Sequence, residues 1–210
     1  MNNFAHTRKP HAGRTVLMRL HSLQPGLRGL AWLVGLAVLA AIMAAGPAPA
    51  QSCPGYRVVQ SAVASFNQAA SSRSPRAFAV VLERHADVSR VAMFALGPYR
   101  QALPAALRGE YVQLTRQFLG RVLAEHAASF AGTQVVLLNC TSDRGFTLVD
   151  TRVGAHPIVW RLAGNRIVDM KVGGIWLSLQ MRSNFVSVIQ RGNGNPAVLI
   201  DYLRSGRSFG

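Results

Sequence analysis

The chain has 210 residues, half of them apolar, and carries 23 Lys and Arg against 8 Asp and Glu, a formal net charge of +15. This length holds one ordinary domain with a real core and excludes two large ones, while the apolar content excludes an intrinsically disordered chain. The charge alone is compatible with nucleic-acid binding, because clustered basic side chains release counterions from phosphate.

The N-terminal segment has the parts of a secretory signal. Residues 1–50 contain five basic residues and no acidic one, a run of sixteen uncharged residues over 30–45, and a small-residue end at Ala48-Pro49-Ala50. This order predicts a signal peptide over residues 1–50, cleaved before Gln51. The remaining chain, residues 51–210, then forms a single domain.

Two alternatives remain open for this segment. Translation starts at Met1 or at Met18, and the second start gives a more compact positive region before the apolar run. An uncleaved membrane anchor is the alternative to cleavage, since residues 29–50 are just long enough to cross a bilayer.

The basic residues that remain after cleavage are dispersed. Residues 51–210 keep 18 basic and 8 acidic side chains, and 17 of the 18 are arginine. No block of basic residues stands out, so we expect a solvated basic surface and no nucleic-acid partner. An exported protein does meet lipid head groups, whose phosphates match the arginine fork.

Four helices are predicted next, because apolar residues recur at spacings of three and four. Their ranges are residues 55–69, 75–87, 88–96 and about 104–130, with proline or glycine near several ends. The last and longest carries a wide apolar stripe, so we expect it to pack on a broad surface.

From Thr133 the apolar period changes to two, which is typical of β-strands. The predicted strands are residues 133–141, 146–153, 157–163 and 166–172, joined by turns so short that neighbours must be antiparallel. In the second and fourth strands polar and apolar residues alternate. We therefore expect Asp150 and Asp169 on a polar face, in solvated ion pairs beside Arg152 and Lys171.

Two helices are predicted after Gly173-Gly174, over residues 175–189 and from Pro196 to Leu203. The order of elements predicts an α+β domain, with helices packed on one face of a four-stranded antiparallel sheet.

The two cysteines, Cys53 and Cys140, both lie after the predicted cleavage site. An exported chain with an even number of cysteines is expected to join them, which would connect the mature N-terminus to a central strand. Two buried free thiols are the alternative.

No catalytic or metal-binding motif is found. His85, His126 and His156 are scattered, without an HExxH pattern, and no GxSxG serine motif is present. We predict no metal, no cofactor and no enzyme activity. A small enzyme that uses Asp150 or Asp169 with a histidine stays open as an alternative.

Large apolar residues are plentiful, and a helix-covered curved sheet can leave space for an apolar ligand between its layers. Arg182 lies within the otherwise apolar run LSLQMRSNF, so its charge needs a partner or a phosphate. A basic exported adaptor that binds only protein is a further alternative, which a core without a cavity would favour.

Two groups of residues form a familiar pattern. The first comprises Arg76-Ala77-Phe78 to Leu82, Asp87, the run VAMFALG over 91–97 and Tyr99-Arg100; the second comprises VDMKVGGI over 168–175, LSL over 177–179, MRSNF over 181–185 and LIDYL over 199–203. Together they span about residues 55–205 and resemble the MlaC-like, toluene-tolerance family of periplasmic lipid carriers. Trp176 departs from that pattern, since the family usually has a small residue there.

The resemblance implies an NTF2/cystatin-like fold around an apolar cavity. It implies a monomeric periplasmic carrier that moves phospholipid between the outer membrane and an inner-membrane ABC transporter, with an outer-membrane lipoprotein as a further partner. Some relatives are associated with hopanoid metabolism, so a carrier of hopanoid or another polycyclic lipid is the alternative.

The residues expected to serve this function fall into two sets. Arg90, Arg100 and Arg182 are expected to face the head group or a partner. The expected lipid-binding residues are Phe78, Leu82, Met93, Phe94, Tyr99, Phe118, Val122, Phe146, Trp160, Val168, Met170, Val172, Ile175, Trp176, Met181 and Phe185.

Overall fold

The computed structural model of the protein describes residues 53–207. The predicted signal peptide, residues 1–50, lies outside the described residues. Within residues 53–207, none of the helices combines the length and the apolar character that a membrane span requires.

Within residues 53–207, four α-helices precede the sheet: α1 (Pro54–Ser72), α2 (Pro75–His85), α3 (Val88–Ala95) and α4 (Ala105–Glu125). Prolines stand in the first turns of α1 and α2, where their missing N–H leaves no helical hydrogen bond unmade. The Asp87 carboxylate accepts a hydrogen bond from the Arg90 backbone N–H and so caps α3. The longest helix ends earlier than predicted, at Glu125, and a short 3₁₀ helix (Ala127–Ser129) follows it.

The sheet has five antiparallel strands in the order of the chain: β1 (Val135–Asp143), β2 (Phe146–Val153), β3 (His156–Ala163), β4 (Arg166–Val172) and β5 (Ile175–Trp176). The expectation of four strands is therefore wrong by one. Gly173 and Gly174 both have positive φ, 57° and 84°, and this tight turn pairs Ile175 and Trp176 back onto β4. Two residues predicted to begin a helix thus form a strand.

Two helices complete the described chain, α5 (Leu177–Arg191) and α6 (Ala197–Arg204). The buried interior divides into two clusters. One lies between α1, α2 and the sheet and contains Phe66, Phe78 and Trp160. The other lies among α3, α4, α5 and α6 and contains Phe118 and Phe185.

Two β-bulges interrupt the register of the sheet. In β1, which forms one edge, the pairing with β2 shifts around Leu138. Between β3 and β4, Arg161 lies opposite Asp169 while Leu162 lies opposite Ile167, so Val168 is the extra residue.

The second bulge overturns one expectation about β4. Ile167, Val168 and Asp169 are buried in succession, although strict alternation predicted an exposed Asp169 beside Lys171. The expected solvated ion pair at Asp169 is wrong because the bulge and the start of α5 enclose the side chain.

The structure joins Cys53 and Cys140 by a disulfide bond, with an S–S distance of 2.06 Å. Cys53 immediately precedes α1, and Cys140 lies in the middle of β1. The bond therefore attaches the first helix to an edge strand of the sheet, and the expectation of a central strand is wrong.

Candidate functional site

An apolar cavity of about 150 Å³ lies between α2, α4, β4 and α5. Its walls include Leu82 of α2, Leu119, Val122 and Leu123 of α4, Met170 of β4 and Met181 of α5. The few polar side chains along it are His85, Asp169 and Ser178. The cavity therefore suits an apolar ligand and offers polar contacts at only a few points.

A wider cleft of about 600 Å³ adjoins the cavity. The two spaces share Val91, Val168, Asp169 and Ser178 in their walls. Beyond these shared residues the cleft is lined by arginines and large apolar side chains: Arg90, Arg100, Arg161, Met93, Phe94 and Phe146. A ligand that extends from cavity to cleft passes from an apolar to a basic environment.

The side chain of Asp169 lies where the cavity and the cleft meet. Its carboxylate accepts hydrogen bonds from the Ser178 hydroxyl at 2.6 Å, the Ser178 N–H at 3.0 Å and the Met170 N–H at 2.9 Å. The Arg161 guanidinium lies 3.6 Å away. These contacts offset the cost of burying a carboxylate, and they fix the first turn of α5 against β4.

Arg161 is stacked as well as paired. Its guanidinium carbon lies 3.8 Å from the centroid of the Trp176 ring and 5.7 Å from that of Phe146. Arg90 also lies 5.7 Å from the Phe146 centroid. Two cations therefore gather around one aromatic ring at the cleft, in the geometry of cation–π contacts.

His85, at the end of α2, is the titratable base of the cavity wall. Its Nε2 lies 2.9 Å from the Ser65 hydroxyl. Burial, followed by the neighbouring charges of Arg84 and Arg166, lowers the pKa of His85 below its ordinary value of 6.5. The neutral imidazole is therefore the form that the cavity favours.

Half of the expected lipid-binding residues lie along the two spaces. Leu82, Val122, Met170 and Met181 line the cavity, and Val168 lines both spaces. Met93, Phe94 and Phe146 line the cleft, together with the expected head-group residues Arg90 and Arg100.

The other expected lipid-binding residues lie elsewhere, for reasons of packing. Phe78 stacks with Phe66 and packs at a tilt against Phe130, and Phe118 packs against Phe185 in the second cluster. The Trp160 indole donates a hydrogen bond to the Thr151 hydroxyl. The set that lines neither space is Phe78, Tyr99, Phe118, Trp160, Val172, Ile175, Trp176 and Phe185.

Arg182 lies beside the cleft and outside its wall. Its guanidinium stacks 5.4 Å from the centroid of Phe94, and it has no carboxylate partner among residues 53–207. The expectation that this arginine needs a partner is met in part by an aromatic ring.

Sequence reasoning missed several residues of the site. Leu119 and Leu123 belong to the apolar stripe predicted for the longest helix, which indicates packing and not a ligand, and the sequence analysis predicts no role for Arg161. Arg161 interrupts the apolar strand PIVWRLA in the same way that Arg182 interrupts a helix. A charged residue within an apolar strand indicates a charge that the fold partly encloses, and this pattern could have identified Arg161.

The described residues offer no metal centre, and Asp169 and His85, which both line the cavity, are bonded to other residues. No group of three or more His, Cys, Asp or Glu side chains within residues 53–207 is arranged to hold a metal ion. An enzyme that used Asp150 or Asp169 with a histidine would need the two side chains within hydrogen-bond reach of each other. The Asp169 carboxylate instead accepts hydrogen bonds from Ser178 and Met170, and His85 Nε2 lies 2.9 Å from the Ser65 hydroxyl.

Helices that cover an antiparallel sheet and leave an apolar cavity beside a basic cleft define a class of α+β ligand-binding domain. The chain belongs to the MlaC family: the family described as "MlaC protein" matches residues 57–205. No curated protein matches the sequence.

Among solved structures, the chain is similar to a phospholipid-binding protein from Ralstonia solanacearum, determined in complex with a phospholipid. The two share 16% sequence identity with a TM-score of 0.61, over 71% of this chain and 92% of the other. At this identity the likeness shows a common fold.

Proposed function

We propose that this protein is a periplasmic lipid carrier that buries the acyl chains of a phospholipid in the apolar cavity. The observation that carries the proposal is the cavity itself, which opens beside a cleft lined by arginines. Membership of the MlaC family and the fold shared with a phospholipid-binding protein support it. Burial of apolar surface contributes about 25 cal/mol per Å², so such binding needs no covalent chemistry.

The size of the cavity limits how a lipid fits. Pockets for drug-sized ligands usually measure about 300–1,000 Å³, whereas this cavity holds about 150 Å³. A bound lipid must therefore widen the cavity or extend into the cleft. Met170 and Met181 of the cavity and Met93 of the cleft are flexible side chains that can make such room.

The proposed role of the carrier is transport of phospholipid between the two membranes. The carrier moves phospholipid between an outer-membrane lipoprotein complex and an inner-membrane ABC transporter, and acts as a monomer after residues 1–50 have been removed. Arg90, Arg100 and Arg182 near the cleft attract anionic head groups or acidic partner surfaces. Intact mass of the exported protein tests the cleavage, which predicts a chain that begins at Gln51.

The lipid cargo is tested by extracting protein purified under gentle conditions and identifying bound lipid by mass spectrometry. We expect about one phospholipid per chain. A hopanoid or another polycyclic lipid in its place would contradict the phospholipid cargo, and protein free of any lipid would contradict the carrier.

A cavity-filling variant gives the structural test. Val122→Phe adds volume at the wall formed by α4, so we expect it to reduce copurified lipid several-fold while the empty protein stays folded. Val80→Phe is the matched control, because Val80 is exposed on α2 and lines neither space. Equal lipid content in Val122→Phe and the control would count against binding in this cavity.

A further inference from the structure

The cleft carries more positive than negative charge, and two of its three arginines have no ion pair among the described residues. Three guanidinium groups, of Arg90, Arg100 and Arg161, line it together with two carboxylates, of Asp87 and Asp169. Asp169 is ion-paired with Arg161, and Asp87 caps α3, so the negative charges of the cleft are fewer than its positive ones and already hold other groups. The side chains of Arg90 and Arg100 make no ion pair within residues 53–207.

Arg161 is held in place before any ligand arrives. The Trp176 ring packs on its guanidinium, and Asp169 lies opposite it across the β3–β4 pairing. Its side chain remains 30% exposed while it lines the cleft. A guanidinium has five N–H donors, so the contact with Asp169 leaves donors available for an anion.

Arg90 lines the same cleft as Arg161 and adds a second guanidinium group with hydrogen-bond donors. The guanidinium carbons of Arg90 and Arg161 each lie 5.7 Å from the centroid of the Phe146 ring, and of these two only Arg161 has a carboxylate partner among the described residues. Guanidinium groups that line one cleft can bind a phosphate together, because arginine binds phosphate through paired hydrogen bonds.

We infer that this cleft binds the phosphate of a lipid whose chains occupy the cavity, and that it selects lipids with a net negative head group. The inference rests on the proposed function and adds the class of cargo. A zwitterionic head group brings its own cation next to three arginines, whereas phosphatidylglycerol or phosphatidate brings none. Arg90, Arg100 and Arg161 contact the head group; Trp176 and Asp169 are positioning residues for Arg161.

The test is a competition within one vesicle. Protein made from the full-length sequence is incubated with vesicles that hold phosphatidylcholine and phosphatidylglycerol in equal amounts, then separated, and its bound lipid is quantified. We expect the wild type to prefer phosphatidylglycerol, and Arg90→Gln/Arg100→Gln to lose roughly tenfold of that preference, as two partly exposed ion pairs would contribute. Capture of phosphatidylcholine alone, which depends mainly on its buried chains, should fall less than capture of phosphatidylglycerol alone.

The control removes the same charge elsewhere. Arg57→Gln/Arg108→Gln replaces two exposed arginines of α1 and α4 that line neither space, so its preference should match the wild type. An equal loss in both double variants would overturn the inference in favour of general charge. Capture of both lipids without preference would also overturn it while leaving the carrier function intact, whereas no lipid capture at all would contradict the carrier function.

Trp176 tests the positioning role. Trp176→Leu should lower the preference for phosphatidylglycerol in protein that remains folded, and Trp176→Phe should restore part of that preference by keeping an aromatic face. An unaltered preference in Trp176→Leu would contradict the role.

A final arm distinguishes a lipid head group from free phosphate. At constant ionic strength, inorganic phosphate should leave the preference unchanged, because the buried chains hold the head group at a high effective concentration. Abolition of the preference by inorganic phosphate would identify the cleft as a site for the free anion and overturn the inference.

Discussion

His85 and Asp169 are ionisable residues at the wall of the cavity, and the fold treats their charges in opposite ways. Asp169 has Arg161 and three hydrogen-bond donors around it, so its charge is compensated. His85 has the Ser65 hydroxyl as a partner but faces the charges of Arg84 and Arg166. Protonation of His85 therefore introduces an uncompensated charge beside apolar side chains.

The consequence is a dependence of stability on pH. Burial and the two arginines lower the pKa of folded His85, whereas the unfolded chain takes up a proton near the ordinary value of 6.5. The contribution of His85 to stability is thus fully present above that pH and is lost as the pH falls below it toward the folded pKa. In urea unfolding, the free energy of unfolding should fall less in His85→Gln than in the wild type as the pH is lowered.

His156→Gln is the matched control for this experiment. It removes an imidazole that is exposed at the start of β3 and lines neither space. The assignment of this pH dependence to His85 would be contradicted if both variants lost equally less stability at low pH than the wild type. It would also be contradicted if His85→Gln lost as much stability as the wild type.

Helices α2 and α4 both line the cavity, and they approach each other closely at Gly120. A Cβ atom placed on this glycine would lie 2.5 Å from the carbonyl oxygen of Pro75. Leu82 on α2 and Leu119 and Val122 on α4 line the cavity close to this contact in sequence. The absence of a side chain at Gly120 therefore sets the separation of the two helices.

Gly120→Ala should destabilise the protein although alanine is the better helix former. The gain in helix propensity is about 1 kcal/mol, while a forced shift of packed backbone costs typically 1–3 kcal/mol, so the net change is a loss of about 1 kcal/mol. Gly109→Ala, on the same helix with nothing within 4 Å of the added Cβ, should instead stabilise by up to about 1 kcal/mol. If Gly120→Ala and Gly109→Ala changed the free energy of unfolding in urea in the same direction, this explanation would be contradicted.

The elements show which features local sequence determines. The bounds of β2 and β4 follow from alternation and turn residues, and the structure has them at the predicted residues, 146–153 and 166–172. β5 has only two residues, too few for any period, and it exists because Gly173-Gly174 returns the chain to β4. The bulge at Val168 depends on how two strands pair, which one strand's sequence does not encode.

The same distinction holds for the site across the whole molecule. Leu82, Val122 and Met170 were expected from their apolar character and do line the cavity. Phe118 and Phe185 have the same character but pack against each other, and only the tertiary arrangement separates the two cases. The role of Arg161 depends on Trp176 and Asp169, which meet it from neighbouring segments.

The disulfide acts on the whole molecule because Cys53 and Cys140 are 87 residues apart. Closing so long a loop restricts the unfolded chain, and in the chain-entropy model it stabilises by about 4–5 kcal/mol. The variant Cys53→Ser/Cys140→Ser should lose an amount of this order in urea unfolding.

Reduction provides the control for this prediction. Dithiothreitol should lower the unfolding midpoint of the wild type toward that of the double variant and leave the variant itself unaffected. A double variant as stable as the oxidised wild type would contradict a stabilising role for the bond.

The shift of register at Leu138 has a consequence for how these molecules behave at high concentration. β1 is an outer strand, and Val136 and Leu138 are exposed on it, 46% and 56% respectively. Such a strand is a template on which another chain can extend the sheet and begin aggregation. The bulge interrupts the row of backbone donors and acceptors halfway along β1, so a neighbouring strand can match only part of it. The bulge therefore limits aggregation of the protein through β1 in concentrated solution.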